Sequence, residues 1–295
     1  MVLRQRARRR RGCLPVERPG RLGIYSLTQS LLVKGAAGEP LPSPFRGLAR
    51  HEVEFRRGEF SLVAAGPGTG KSLFALNLAL HGNIPVLYFS ADSNAATQLT
   101  RATALLTGEN VRDVKRKLLS DDFGDYLVDL SKRWWIRFDY NARPTLADIE
   151  LNLRAYFEVF GMFPHLIVVD NITNVSGDNP AGDAESFTFG LEAMCEYMSD
   201  MARVTGAHVL SLHHVTGEHS DGLSPIPLSG VKGKIGRVPN VIITLFKEID
   251  GMDGRIIHAS PVKNREGFED SSGQTYSSYA FNSTNMRLED VDDSL

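Results

Sequence analysis

The residues AGPGTGKS, Ala65 to Ser72, constrain this chain more than any other stretch. Gly66, Gly68 and Gly70 let the backbone turn its N–H groups toward a common point, where they ring an anion. The first turn of a following helix adds the positive end of its dipole. Lys71 is placed to reach the β- and γ-phosphates of a nucleotide, and the Ser72 hydroxyl to ligate Mg²⁺. This is a P-loop pattern with alanine in place of the leading glycine. Its flanks fit the motif: Phe60 to Ala64 read as a strand, and Leu73, Phe74, Leu76, Leu78 and Leu80 as a helix. Gly66, Pro67, Gly68, Thr69, Gly70, Lys71, Ser72 and Leu73 are therefore expected to bind ATP together with Mg²⁺.

Around this motif, short apolar runs alternate with helical patterns. The expected strands are EFSLVAAG, PVLYFSAD, WWIRFD, HLIVVDN, AHVLSLHH, NVIITLF, RIIHASPVK and TYSSYAFN. Helical patterns cover 71–81, 94–107, 145–161 and 185–205. Such alternation implies βαβ units, hence an α/β fold with a mostly parallel central sheet flanked by helices. Short turn-rich links, DGMDG and EDSSG, join the last strands and predict antiparallel strands at the C-terminal edge.

Composition sets the remaining bounds. At 295 residues the chain has room for one large α/β domain with peripheral pieces. No apolar run approaches a membrane span, and Cys13 and Cys195 follow no metal or disulfide spacing, which fits a reducing cytoplasm. The start, MVLRQRARRRRG, is basic without an apolar run behind it. Removing its six arginines from a chain of net charge −2 leaves −8. Residues 1–22 read as a disordered basic tail, either without function or as a nucleic-acid-binding arm. Residues 23–43 follow, with Ile24, Leu27, Leu31 and Leu32 on one helical face and then the proline-rich GEPLPSPF. The ATPase domain is expected over 44–290 and a solvated acidic tail over 291–295.

Two carboxylates fall at expected strand ends, the edge where ligands sit in open α/β sheets. Asp170 closes HLIVVDN, where it can join Ser72 in holding Mg²⁺. Asp92 closes PVLYFSAD; it reads either as the cap of the helix beginning near Asn94 or as a base orienting a water. Near the C-terminus, Lys263 and Arg265 alternate at the end of RIIHASPVK and so point the same way.

In order along about 44–290, these pieces resemble the RecA-like motor domain of DnaB-type replicative helicases, in the bacteriophage style. FRRGEFSLVAAGPGTGKSLFALNLAL resembles the first strand and P-loop helix, and HLIVVDNIT the second nucleotide motif. VLYFSADSNAATQLTRATALLTG is similar to the segment carrying the catalytic glutamate, which puts Asp92 on that position. HVLSLHHVTG resembles the strand ending in a glutamine sensor, which puts His214 there. VKNREG resembles a Lys-x-Arg-x-Gly element that meets the neighbouring subunit's γ-phosphate. The resemblance thus implies a homo-oligomeric ring, of hexameric size, that hydrolyses ATP at its interfaces, with Arg265 a finger acting in trans and Lys263 beside it. It also implies single-stranded DNA, and a primase or helicase loader, as partners in a host cytoplasm. The family's N-terminal primase-contacting domain has no counterpart; residues 23–34 alone could serve as the linker helix packing on a neighbour, or else pack on their own domain.

Nucleic-acid loops of such motors are basic and glycine-rich. VTGEHSDGLSPIPLSGVKGKIGR, 215–237, fits with Lys232, Lys234 and Arg237, whereas 171–187 is acidic. Two other readings stand beside the helicase: a RecA- or RadA-like recombination ATPase, and a KaiC-like regulatory ATPase without DNA unwinding. The acidic first loop favours the last.

Overall fold

The computed structural model describes residues 25–176, 186–231, 234–250 and 254–291; the side chains at 186–189, 234, 250 and 254 lie outside that description. The expected basic tail, most of the acidic loop and Lys232 also lie outside it.

Continuous apolar runs become strands buried on both faces, as a covered parallel sheet demands. β1 (Phe60–Ala65), β2 (Val86–Ser90) and β4 (Leu166–Asp170) are buried at every position. Along β1 the side chains alternate: Val63 and Ala65 enter one core, Leu62 and Ala64 the other. With β3 (Ile136–Asp139), β5 (His208–His214) and β6 (Val241–Asp250), they form a parallel array ordered β3–β2–β4–β5–β1–β6. β7 (Gly254–Asn264), β8 (Ser277–Asn282) and β9 (Arg287–Asp290) extend it as the expected antiparallel edge.

Helices α3 (Lys71–His81) and α4 (Ala95–Thr107) cover one face, and α7 (Leu146–Phe160) and α8 (Ser186–Thr205) the other. The residues opening and closing them explain their lengths. Asn94 caps α4 by accepting from Thr97 N, so the cap reading of Asp92 gives way to Asn94. A reciprocal Thr145–Asp148 capping box opens α7, and Gly161 closes it in the left-handed region.

Helix α1 (Leu27–Val33) buries none of its residues; Leu27, Leu31 and Leu32 are 91%, 68% and 82% exposed. Of the two packings expected for this segment, the one on its own domain is not found among the described residues. The connector behind it does pack. Leu41 is buried, and Phe45, just ahead of α2 (Arg46–Arg50), stacks on Phe74 with centroids 4.0 Å apart. Helices α5 (Val111–Leu119) and α6 (Gly124–Ser131) and strand β9 have no counterpart among the sequence expectations. Each is anchored by one buried side chain, Val114, Tyr126 and Leu288 respectively, too few to mark a periodicity.

Candidate nucleotide-binding and catalytic site

Parallel register lines up the ends of β2, β4, β5 and β1. Ser90 pairs with Asp170, and Ala65 with His214, so the segments beyond β1 and β2 project from the same edge as Asp170 and His214. The P-loop, Asp92, Asp170 and His214 therefore share one crevice, although they span some 150 positions of sequence.

Within it, the Lys71 ammonium donates to the carbonyls of Ala65 and Gly66, each at 3.0 Å. Its side chain is buried, and desolvation lowers its pKa to about 8 against the opposing pull of Asp170 and Asp92. Gly70 has φ +118°, a conformation glycine adopts without strain, and Ile257 fills the space a Cβ would need. Gly66 is required for a different reason than expected: the Ser220 carbonyl lies where its Cβ would be. The segment after β5 thus packs directly on the P-loop.

Asp170 accepts from Tyr88 Oη at 3.1 Å and hydrogen-bonds the Ser72 hydroxyl. Burial raises its pKa, and these two hydrogen bonds oppose the shift. Asp92 Oδ1 accepts from Asn174 Nδ2 at 2.8 Å, and Oδ2 stands 3.3 Å from His214 Nε2. Adjacent His213 points inward, buried, with both ring nitrogens unpartnered among the described residues; burial lowers its pKa to about 4, so it is neutral. Tyr88 and Asn174 were missed by sequence reasoning. Tyr88 reads as one more apolar strand residue, and Asn174 falls in a short turn, Ile172–Asn174, with no motif of its own.

The donor set fits the expected ligands. A hydroxyl and a carboxylate already in contact are hard oxygen ligands suited to Mg²⁺. Lys71 and the amides opening α3 suit phosphate oxygens.

The remaining expected residues lie elsewhere. Asn264 pairs with Val241, which pairs with Ser61, whereas the P-loop begins after Ala65. At about 3.3 Å per residue, the end of β7 lies roughly 13 Å down the sheet from the P-loop edge. Lys263 Nζ donates to the carbonyls of Gly236, Arg237 and Pro239 at 2.7, 3.0 and 2.7 Å. Arg265 Nη2 donates to the Arg237 carbonyl at 2.8 Å. The Arg237 side chain pairs with Glu192 at 2.5 Å and Glu196 at 3.7 Å on α8. Lys234 opens the same short turn, Lys234–Arg237.

A nine-stranded sheet with a parallel core, antiparallel C-terminal strands and a P-loop after β1 defines a RecA-like P-loop ATPase fold. Residues 42–219 match the family described as "AAA domain", and the chain belongs to that family. It is 46% identical over 267 residues to the Gene 65 protein of Mycobacterium phage L5, covering 90% of this chain and 99% of that protein. To the Gene 65 protein of Mycobacterium phage D29 it is 45% identical over 235 residues, 78% of this chain and 99% of that one. Among solved structures it is similar to a DnaB-like replicative helicase studied with its interactions with primase, at TM-score 0.69 and 18% identity, over 91% of this chain and 68% of that chain. It is also similar to the ATPase domain of G40P, at TM-score 0.70 and 17% identity, over 90% and 96%. At those identities the likeness establishes the fold alone.

Proposed function

We propose that this chain is one subunit of a homo-oligomeric ring, a hexamer, that hydrolyses ATP between subunits, moves along single-stranded DNA and unwinds duplex in phage replication. In this reading the P-loop amides and Lys71 hold the phosphates, and Ser72 with Asp170 holds Mg²⁺. Bound Mg²⁺ neutralises charge on the β- and γ-phosphate oxygens. Asp92, its far oxygen fixed by Asn174, orients the attacking water, and His214 hydrogen-bonds the γ-phosphate. Arg265 enters the neighbouring subunit's crevice, where a guanidinium stabilises the charge that develops in the transition state. Lys232, Lys234 and Arg237 meet the DNA backbone, a primase or loader is a further partner, and the host cytoplasm is the setting. Residues 44–290 form the motor domain, and exposed α1 packs on a neighbour.

One observation carries the reading: the phosphate-side residues and Arg265 occupy opposite ends of one sheet, a separation of roughly 13 Å that an arginine side chain does not cross. Residues that complete one another's chemistry at that distance belong to different subunits. The solved neighbours, one of them a replicative helicase studied with primase, support the same assignment.

Mixing of two silent variants tests it. Lys71→Ala and Arg265→Ala are each inactive alone, with Arg265→Ala still binding an ATP analogue. Mixed, they regain turnover, because some interfaces then combine an intact P-loop with an intact guanidinium. Full turnover by Arg265→Ala alone, or silence of every mixture, overturns the proposal. The pairing of Arg237 with Glu192 and Glu196 favours a second reading, a regulatory ATPase without DNA work. Turnover stimulated by single-stranded DNA, with strand separation on a fork, selects the helicase; joint-molecule formation selects a recombinase; no response to DNA selects the regulator.

A further inference from the structure

We propose that Asn264 is a positioning residue for Arg265: its buried amide ties the loop bearing that guanidinium to residues 52–56, ahead of β1. The proposal rests on the reading of Arg265 as a group acting in trans and names what aims it. Strand β7 ends at Asn264, so Arg265 is the first residue beyond it, exposed and with a long flexible stem. Where such a head can reach depends on how firmly its backbone is held.

Three contacts at Asn264 supply that hold. Its Nδ2 donates to the Glu52 carbonyl at 3.1 Å, and its Oδ1 accepts from Glu266 N–H at 3.2 Å. Its own N–H donates to Glu269 Oε2 at 3.0 Å. One buried side chain thus closes the loop on itself and fastens it to a second segment. The second segment is shaped to receive it. Glu52 has φ +57°, a left-handed conformation that residues other than glycine seldom take, and in that turn its carbonyl meets Asn264. Gly267 completes the fit. A Cβ there would lie 2.6 Å from Asn264 Nδ2 and from Glu52 Cβ, and 2.8 Å from Glu52 O, so glycine lets the loop close over the bond.

Residues 52–56 are themselves anchored. Val53 and Phe55 are buried, and the Phe55 carbonyl accepts from Leu41 N–H at 2.9 Å. Arg56 adds an outer tie: its Nε stands 3.2 Å from Glu266 Oε2, and its Nη1 donates to the Gly38 carbonyl at 3.0 Å. Water screens an ion pair this exposed but not the bonds of a buried amide, so Asn264 carries most of the brace. Gly38 lies just beyond α1, so the packing of α1 and the aim of Arg265 share one frame.

Turnover and analogue binding by the full chain test the brace. Misplacing a reacting group by about 1 Å costs on the order of 10²-fold in rate. Asn264→Ala should therefore lower kcat roughly 10- to 100-fold, with KM for ATP and affinity for an ATP analogue within about twofold of wild type. A general loss of structure would move those two as well. Adding Lys71→Ala protomers, silent alone, should raise turnover, since each brings an undisturbed Arg265 to an intact P-loop. Wild-type kcat in Asn264→Ala beside a silent Arg265→Ala overturns the brace alone; full turnover by Arg265→Ala overturns the trans reading and the brace with it. A loss that Lys71→Ala protomers do not restore makes Asn264 act within its own subunit and also overturns the proposal. Should Asn264→Ala bind no analogue, Asn264→Ser, whose hydroxyl can keep one of the two side-chain bonds, is judged by the same outcomes.

Discussion

Asn174 Nδ2 donates to Asp92 Oδ1 at 2.8 Å, joining the turn after β4 to the segment after β2. The contact fixes one oxygen of a carboxylate whose other oxygen faces His214. In the proposed reading Asp92 stands where the resemblance implies a glutamate, one methylene longer, so its placement depends more on such a partner. Asn174→Ala should lower kcat about tenfold and leave KM for ATP unchanged; Asp92→Asn should lower kcat by about 10²-fold or more. Steady-state kinetics with phosphate release separate the two constants. An Asn174→Ala enzyme with a raised KM and normal kcat would place Asn174 in nucleotide binding instead.

A second expectation concerns pH. Glu59 sits in a cleft with Glu52, Glu54, Arg56, Arg265 and Glu266. Burial, and then the charge of Glu266, raise its pKa to about 7, against the pull of Arg56 and Arg265. Between the usual carboxylate range and pH 7, the folded chain keeps a proton that the unfolded chain has released. Stability from this group is therefore present at low pH and is lost as pH rises through 7. Glu59→Gln, a permanent neutral form, should melt above the wild type at pH 8 and close to it at pH 5. Parallel melting curves at both pH values would remove Glu59 as the cause.

The packing of the connector is open to a stability measurement. Phe45 is 1% exposed, stacked on Phe74 and edge-on to Tyr279. Phe45→Ala should cost about 3–5 kcal/mol in urea unfolding, the range for an aromatic ring removed from a core. A loss below about 1 kcal/mol would mean that the segment is dispensable to the domain.

The opposite result is expected for α1. Leu31→Ser touches no buried contact, so the protomer's unfolding free energy should shift by no more than about 0.5 kcal/mol. Native mass in the presence of an ATP analogue should move toward single protomers. An unchanged assembly would remove α1 from the interface.

Much of the fold could be read directly from the residues, because its parallel strands are continuous apolar runs and its helices carry caps or glycine stops. Phe60 to Ala65 and the glycines behind it could hardly become anything but a buried strand and an anion-binding turn. Helices α5 and α6 escaped because one buried residue each, Val114 and Tyr126, leaves no periodic trace. Asp92 was ambiguous for a related reason: a carboxylate before a helix has the same local pattern whether it caps or faces a site.

The sequence by itself determined the local chemistry: an amide-rich turn with a lysine and hydroxyl, carboxylates at strand ends, and paired cations near the C-terminus. These follow from residue type and spacing over a few positions. Only the tertiary structure decided which of them meet. Sheet order and register bring Asp92, Asn174, Asp170 and His214 to one edge, and carry Lys263 and Arg265 to the other end. It also decided that Lys263 faces backbone carbonyls of its own chain. The physical reason is that hydrogen-bond ladders between strands fix distances among residues far apart in sequence, and no window along the chain contains that information.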